Sequence, residues 1–315
     1  MSAGVDPPVC VLGLGLIGGS VLRAAVAAGR TAFGYNRSDG AVRAARGDGF
    51  DASTDLAAVL DRAAAASALI VIAVPMPAVD AVLAAIAEHA PDCPLTDVVS
   101  VKGAITAAVQ AHDLSRRFVG GHPMAGTAES GWEASFAELF ADAAWVVETH
   151  PGVDPEVWTQ VARLAVLCGA VVVPAQAREH DLAVARVSHL PHVLAEALAS
   201  AGANGGDLAL GLAAGSFRDG TRVAGSAPEL VRAMCEANST ALVHALDETL
   251  DALTQARSAL ADRSSVADLV TAGHQARQRY ERFERWDISG ITPGSPDWVN
   301  RMLAAGRSGG VLRKI

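Results

Sequence analysis

Lysine is nearly missing from this chain of 315 residues. Only Lys102 and Lys314 occur, so almost all positive charge is arginine, and chemistry needing an internal lysine has one candidate. Cysteine is sparse as well: Cys10, Cys93, Cys168 and Cys235 stand far apart with no Cys-x-x-Cys pair. That spacing argues against a disulfide framework and a thiolate metal centre, and no metal is expected. Cys10 and Cys168 fall in apolar stretches and read as buried thiols. There is no basic excess. The net charge of −9 argues against a nucleic-acid partner, and an anionic substrate would need a local cluster of Arg and His. Nor is there a long hydrophobic run: residues 63–74, interrupted by Ser67, are too short to span a bilayer. Residues 1–8 are acidic and proline-bearing, without the charged-then-apolar pattern of a secretion signal. A reduced, cytoplasmic protein with no membrane partner is expected.

Aromatics are only 4% of the chain, although 51% is hydrophobic. Alanine supplies much of that apolar content and favours helix, tilting the reading toward α/β or all-α. The length suffices for two domains, each with its own core. Up to residue 174 short apolar runs alternate with helical segments. Strands are expected at 9–12, 31–35, 69–74, 97–101, 144–147 and 170–173, with another leading into Gly120. Helices are expected at 16–28 (ending at Gly29 as C′ residue), 77–89 and 154–168. Such alternation implies a parallel, doubly wound sheet. Beyond Pro174 the strand signals vanish. Ala/Leu-rich helical spacing covers 176–201, 207–214, 228–263 and 264–286, with breaks at 202–206 and 215–225. The expected division is therefore an N-terminal domain, 1–174, and a C-terminal all-helical domain, 175–315. The latter is short of aromatic core and is expected to complete itself against a second copy, as a homodimer. Residues 290–315 read as a loosely packed tail with one short helix near 299–305.

The first strand runs directly into Gly13-Leu14-Gly15-Leu16-Ile17-Gly18-Gly19-Ser20. Strand, glycine loop and helix in succession turn a weak Gly-x-Gly-x-x-Gly match into a specific one for a dinucleotide in a Rossmann-type fold. Gly13 permits the turn, Gly15 lets backbone approach a pyrophosphate, and Gly18 allows close helix–strand packing. Leu16 and Ile17 open the helix whose N-terminus faces the phosphates. The second strand ends in Asn36-Arg37-Ser38, without the carboxylate that holds a ribose 2′-hydroxyl. A guanidinium there suits a 2′-phosphate, so NADP is expected ahead of NAD. Val74 and Pro75 follow a central strand, where a loop crosses the nicotinamide side; their bland reading is a rigid strand-to-helix turn. Ser100 sits at the next strand's carboxyl end, either facing the ligand crevice or capping the helix that follows.

About a hundred residues after the glycine loop comes Gly120-Gly121-His122-Pro123-Met124-Ala125-Gly126-Thr127. The glycines permit close approach of backbone to a ligand, Pro123 fixes the local turn, and imidazole exchanges protons near neutral pH. A dinucleotide loop followed by such a histidine points to hydride transfer assisted by a base.

These segments, together with Ser100-Val101-Lys102-Gly103, His180-Asp181, Ser188-His189-Leu190-Pro191-His192 and Phe217-Arg218-Asp219-Gly220-Thr221-Arg222-Val223-Ala224, resemble the prephenate/arogenate dehydrogenases of tyrosine biosynthesis. The resemblance covers residues 9 to about 240. It implies an NAD(P)-dependent oxidative decarboxylation in which prephenate gives hydride to the nicotinamide, loses carbon dioxide and becomes 4-hydroxyphenylpyruvate. His122 matches the family's catalytic histidine, and Ser100 the serine that contacts both histidine and nicotinamide. Arg222 resembles the arginine that binds the ring carboxylate, and His189 the helical-domain histidine that helps fix this small dicarboxylate substrate. Thr127, closing the histidine loop, is expected at the substrate. His180, Asp181 and His192 are read as structural groups behind the site. Many family members carry Glu right after the Gly-Thr of that loop, whereas here Ala128 precedes Glu129. Arogenate dehydrogenase, giving L-tyrosine directly, therefore stays open as the alternative. Little room is left for a separate regulatory domain, so tyrosine feedback would act at the active site.

Two further readings fare worse. The β-hydroxyacid dehydrogenases pair a similar nucleotide domain with a helical one but rely there on a lysine and an asparagine, and the helical domain of this chain has no lysine before Lys314. A non-catalytic dinucleotide sensor needs no base aimed at the nicotinamide.

Overall fold

The computed structural model describes residues 6–127 and 129–315. Its contacts separate two compact units among the described residues, 6–180 with 286–315, and 181–285.

In the first unit, strands β1 (Val9–Leu12), β2 (Ala32–Tyr35), β3 (Ala52–Ser53), β4 (Leu69–Ile72), β5 (Leu95–Asp97) and β6 (Phe118–Val119) form one sheet in the order β3-β2-β1-β4-β5-β6. All its pairings are parallel. This is the dinucleotide-binding order, reversing direction between β1 and β4. β1 and β4 are buried along their whole length, as parallel strands covered on both faces must be. Alternation of side chains divides the core. Val9, Val11 and Val71 pack on one face, while Cys10, Leu12, Ile70 and Ile72 pack on the other.

The intervening helices are α1 (Leu16–Ala27), α2 (Asp39–Gly47), α3 (Leu56–Ala65), α4 (Met76–His89), α5 (Lys102–Ala111) and α6 (Pro155–Leu167). Several start on side-chain caps: Asp55 accepts from the Ala58 amide at 3.0 Å, and Asp154 accepts from the Glu156 amide at 2.8 Å with Pro155 following at the first helical position. α1 ends as expected, with Gly29 at φ +76°. Cys10 and Cys168 are buried, and burial pushes the Cys168 thiol up to about 12.

A second sheet was not foreseen. Strands β7 (Gly121–Pro123), β8 (Ala144–Glu148) and β9 (Val171–Ala175) pair in that order, β7 antiparallel to β8 and β8 parallel to β9. The expected strand at 97–101 is shifted: β5 stops at Asp97, and residues 98–101 form a connection.

Residues 286–315 are not a loose tail. They belong to the first unit, through a short parallel pair, β10 (Trp286–Asp287) with β11 (Gly310–Val311), and the helix Trp298–Arg307 between them. Trp298 meets Trp158 edge-on at 5.4 Å, Met302 and Leu303 are buried, and Leu312 bridges to Val172. Buried apolar area, not local propensity, fixes this segment.

The second unit is entirely helical. After Ala177–Val184, which contains the division between units, a π turn spans Ala185–His189. Helices Leu190–Asn204, Gly206–Gly211, Gly215–Thr221, Pro228–Ala237, Ser239–Arg263 and Ala267–Glu281 follow. The expected break at 215–225 is helical instead, closing on a 3₁₀ turn at Arg222–Gly225. Few side chains are buried here. Val187, Leu208, Leu212, Leu230 and Val270 are each more than 60% exposed.

Candidate active site

Three glycines after β1 do three different jobs. Gly13 has φ +109°, and a Cβ there would lie 2.5 Å from the Ala73 carbonyl oxygen. At Gly18 a Cβ would strike the Gly13 carbonyl at 1.9 Å, whereas at Gly15 it would meet nothing within 4 Å. Gly13 and Gly18 therefore serve turn and packing, while Gly15 leaves its surface open to a ligand. Gly15 also starts α1, with no side-chain cap and no acidic residue in the first turn, which leaves the helix dipole for an anion. Leu16 and Ile17 begin that helix. These features fit a dinucleotide pyrophosphate.

Leu12, Ile72 and Asp97 stand in register at the carboxyl ends of β1, β4 and β5. Beyond them lie the glycine loop, Val74-Pro75 and Ser100, on one edge of the sheet at its switch point. Val74 is partly buried and Pro75 exposed, Pro75 being the residue before α4. Ser100 lies in a bend two residues before α5. Val101, not Ser100, takes the N-cap position, without a side-chain cap.

At the end of β2, the Asn36 side chain accepts from the Ser38 amide at 3.1 Å. Ser38 in turn caps α2, its hydroxyl accepting from Ala41 at 3.4 Å. Arg37 is exposed, and no carboxylate or other side chain pairs with its guanidinium among the described residues.

His122 is the middle residue of β7, opposite Val146, and is buried. Its strand is held from below by charge. Asp97 and Lys102 form an ion pair with no exposure on either side chain. Asp97 Oδ1 accepts from the Gly121 amide at 3.0 Å, and Lys102 Nζ donates to the Gly121 carbonyl at 2.6 Å. The other Asp97 oxygen accepts from Val99 at 2.8 Å. Only glycine fits at 121, because a Cβ would lie 2.6 Å from the Asp97 carbonyl oxygen. Glu148, at the end of β8, is buried beside Gly120. Burial pushes its carboxyl above the ordinary range, against the opposing pull of His150 and Lys102. The His122 ring itself meets His180: Nδ1 and Nε2 are 2.7 Å apart, the rings edge-on at 5.0 Å.

Thr127 is exposed and turns back on Glu129, whose amide donates to its hydroxyl at 3.2 Å. Ala128 lies outside the described residues.

In the helical unit His189 is buried at the end of the π turn, a distortion that recurs at functional sites. Asn238 Nδ2 donates to the Asp181 carbonyl at 2.8 Å and to His189 Nδ1 at 3.1 Å. The carbonyl fixes which end of the amide is nitrogen, so His189 carries its proton on Nε2. Arg222 is exposed and opens the 3₁₀ turn. Its neighbours differ in their engagement: Arg232 is paired with Glu236 at 3.0 Å, whereas no ion pair forms between Arg222 and Asp219.

Sequence reasoning missed Asn238, the Asp97–Lys102–Glu148 group and the closeness of His180 to His122. The one available signal was Lys102, a solitary lysine inside an apolar segment.

The chain matches two family descriptions, "Prephenate dehydrogenase, nucleotide-binding domain" over residues 20–174 and "Prephenate dehydrogenase, dimerization domain" over residues 176–272. It is 31% identical over 269 residues to the cyclohexadienyl dehydrogenase of Zymomonas mobilis, covering 81% of this chain and 89% of that one. Among solved structures, a Corynebacterium glutamicum protein described as a candidate prephenate dehydrogenase superposes with a TM-score of 0.93 at 50% identity, over 98% of this chain and 99% of the other. The A. aeolicus prephenate dehydrogenase in complex with hydroxyphenyl propionate and NAD+ superposes with a TM-score of 0.79 at 26% identity, over 90% and 100% of the two chains. With both domain descriptions matched in order over most of its length, this chain belongs to the prephenate dehydrogenase family and is an NAD(P)-dependent oxidoreductase.

Proposed function

We propose that the protein is a prephenate dehydrogenase, converting prephenate to 4-hydroxyphenylpyruvate and carbon dioxide in L-tyrosine biosynthesis. The observation that carries this reading is His122, a buried imidazole on a strand anchored to the carboxyl edge of a dinucleotide-binding sheet. A nicotinamide held at this edge would supply the acceptor for hydride from the ring carbinol carbon. His122 accepts a hydrogen bond from the ring hydroxyl as positive charge builds on that carbon; the proton stays with the phenol formed when carbon dioxide leaves. Such assistance is typically worth about 10²–10⁴ in rate. Ser100 contacts His122 and the nicotinamide, and Thr127 lies at the substrate. His189, protonated on Nε2, donates to the substrate, and Arg222 binds the ring carboxylate, a group its planar fork suits.

For the cofactor, Gly15 and the helix start at Leu16 and Ile17 would hold the pyrophosphate in a loop shaped by Gly13 and Gly18, and Val74 and Pro75 would border the nicotinamide. Asn36, Arg37 and Ser38 face the adenosine ribose. Arg37, exposed and without a side-chain partner among the described residues, favours NADP over NAD. The apolar side chains left exposed on the helical unit support a homodimer formed through that unit. Among the described residues no helix is long and apolar enough to cross a membrane.

The deciding experiment follows NADPH formation with prephenate and, separately, with arogenate. Turnover of prephenate supports the reading, turnover of arogenate alone transfers it to the arogenate enzymes, and turnover of neither overturns it. His122→Asn should lower kcat far more than it raises KM, while Arg222→Ala should mainly raise KM.

A further inference from the structure

One buried titratable group without a part in the mechanism so far stands directly against His122. His180 is almost wholly buried, and its Nε2 lies 2.7 Å from His122 Nδ1. Two neutral imidazoles at that distance share one hydrogen bond, with one ring donating and the other accepting. The direction decides what His122 can do. Were His180 the donor, His122 Nδ1 would accept, its proton would sit on Nε2, and that nitrogen could not accept from a hydroxyl.

We propose that His180 is a positioning residue that accepts the Nδ1–H of His122, so that His122 presents a bare Nε2 lone pair to the substrate hydroxyl. The inference rests on the reading of His122 as hydrogen-bond acceptor. His180 then does for His122 what the orienting third group does in a nucleophile–base pair: it fixes tautomer and ring orientation, and it disperses the charge His122 gains as the hydroxyl leans on it.

The other charged groups around β7 engage the glycines beside His122 and one another. From β5 and α5, Asp97 and Lys102 face each other and Gly121. From β8, Glu148 lies against Gly120 and Thr106, with His150 nearby.

The test compares His180→Leu, which removes the acceptor, with His180→Gln, whose amide oxygen can take its place. His180→Leu should lower kcat by about ten- to hundredfold, leave KM for prephenate and NADP binding near wild type, and move the acidic limb of the kcat/KM profile to lower pH, because an unsupported His122 is less basic. His180→Gln should recover most of kcat. A His180→Leu enzyme with wild-type kcat and an unmoved acidic limb, beside an inactive His122→Asn, overturns the inference and spares the reading of His122. If His122→Asn itself keeps near-normal kcat, that reading fails and the inference falls with it. Nitrogen-15 NMR of the histidine-labelled full chain gives a check independent of the variants' stability: His122 should be protonated on Nδ1 at neutral pH, and protonation on Nε2 instead overturns the proposal.

Discussion

Asp97 and Lys102, five residues apart, hold both backbone groups of the same residue. The carboxylate takes the Gly121 amide and the ammonium the Gly121 carbonyl, and neither side chain of the pair is exposed. His122 is the next residue. A buried ion pair is a weak source of net stability, but removing one partner leaves an uncompensated charge in a low-dielectric interior. Lys102→Met should therefore cost roughly 3–5 kcal/mol in urea unfolding, far more than a loss of packing from so similar a side chain. A cost below about 1 kcal/mol, the level of an exposed pair, would show that the clamp does not carry this load.

The glycine loop separates folding from binding within five residues. Gly13→Ala forces a side chain into a left-handed backbone against the Ala73 carbonyl, so it should destabilise the fold by about 1–3 kcal/mol or more. Gly15→Ala meets no protein atom and should cost about 1 kcal/mol or less. Its damage should fall on the cofactor, raising KM for NADP+ on the order of tenfold, about 1.4 kcal/mol. Thermal melting with and without NADP+ distinguishes the two. A Gly15→Ala enzyme with unchanged cofactor affinity would remove Gly15 from the pyrophosphate site.

These glycines were legible because their constraints are local: a strand end, a turn and a helix start follow one another in sequence. The same holds for β1 and β4, whose uninterrupted apolar runs admit little but a buried parallel strand. Residues 286–315 were not legible. Their Gly and Pro content signals loop, and what holds them is distant, Trp158 under Trp298 and Val172 beside Leu312. Likewise β7 carries too few residues to show a period, and it exists because β8 pairs with it. His122 could be found from its small neighbours, but His180 lies 58 residues away and no local pattern links the two. Asn238 was hidden in the same way, standing between two helices and known only by the carbonyl and imidazole it bridges.

Cofactor preference should turn on Arg37. The side chain is exposed, so replacing it disturbs no packing, and the neighbouring Asn36 and Ser38 are already engaged in the turn that caps α2. Arg37→Asp supplies the carboxylate that the β2 end lacks and withdraws the guanidinium. A hydrogen bond to a charged group contributes about 1.5–3 kcal/mol, so kcat/KM with NADP+ relative to NAD+ should fall on the order of ten- to hundredfold. Steady-state kinetics with both cofactors measures the ratio. No change in it would place the 2′-position away from Arg37.

Glu148 should make stability depend on pH in a direction opposite to that of a salt-bridged carboxylate. Burial raises its folded-state pKa above the ordinary value, and the coulombic help from His150 and Lys102 does not offset this. The folded protein thus holds the Glu148 proton more tightly than the unfolded chain does. The stability tied to that proton is fully present below the unfolded pKa and is lost as pH rises through the folded one. Glu148→Gln keeps the size and hydrogen-bonding capacity of the protonated form while removing the titration. Relative to the parent, the variant should gain stability as pH rises from 4 toward 8, and the difference should level off once Glu148 is ionised in the folded state. Urea unfolding at several pH values reads this difference directly. A variant that loses ground with rising pH would mean that Glu148 works as an ionised partner of Lys102, with the clamp on Gly121 a three-membered charge network instead of a pair.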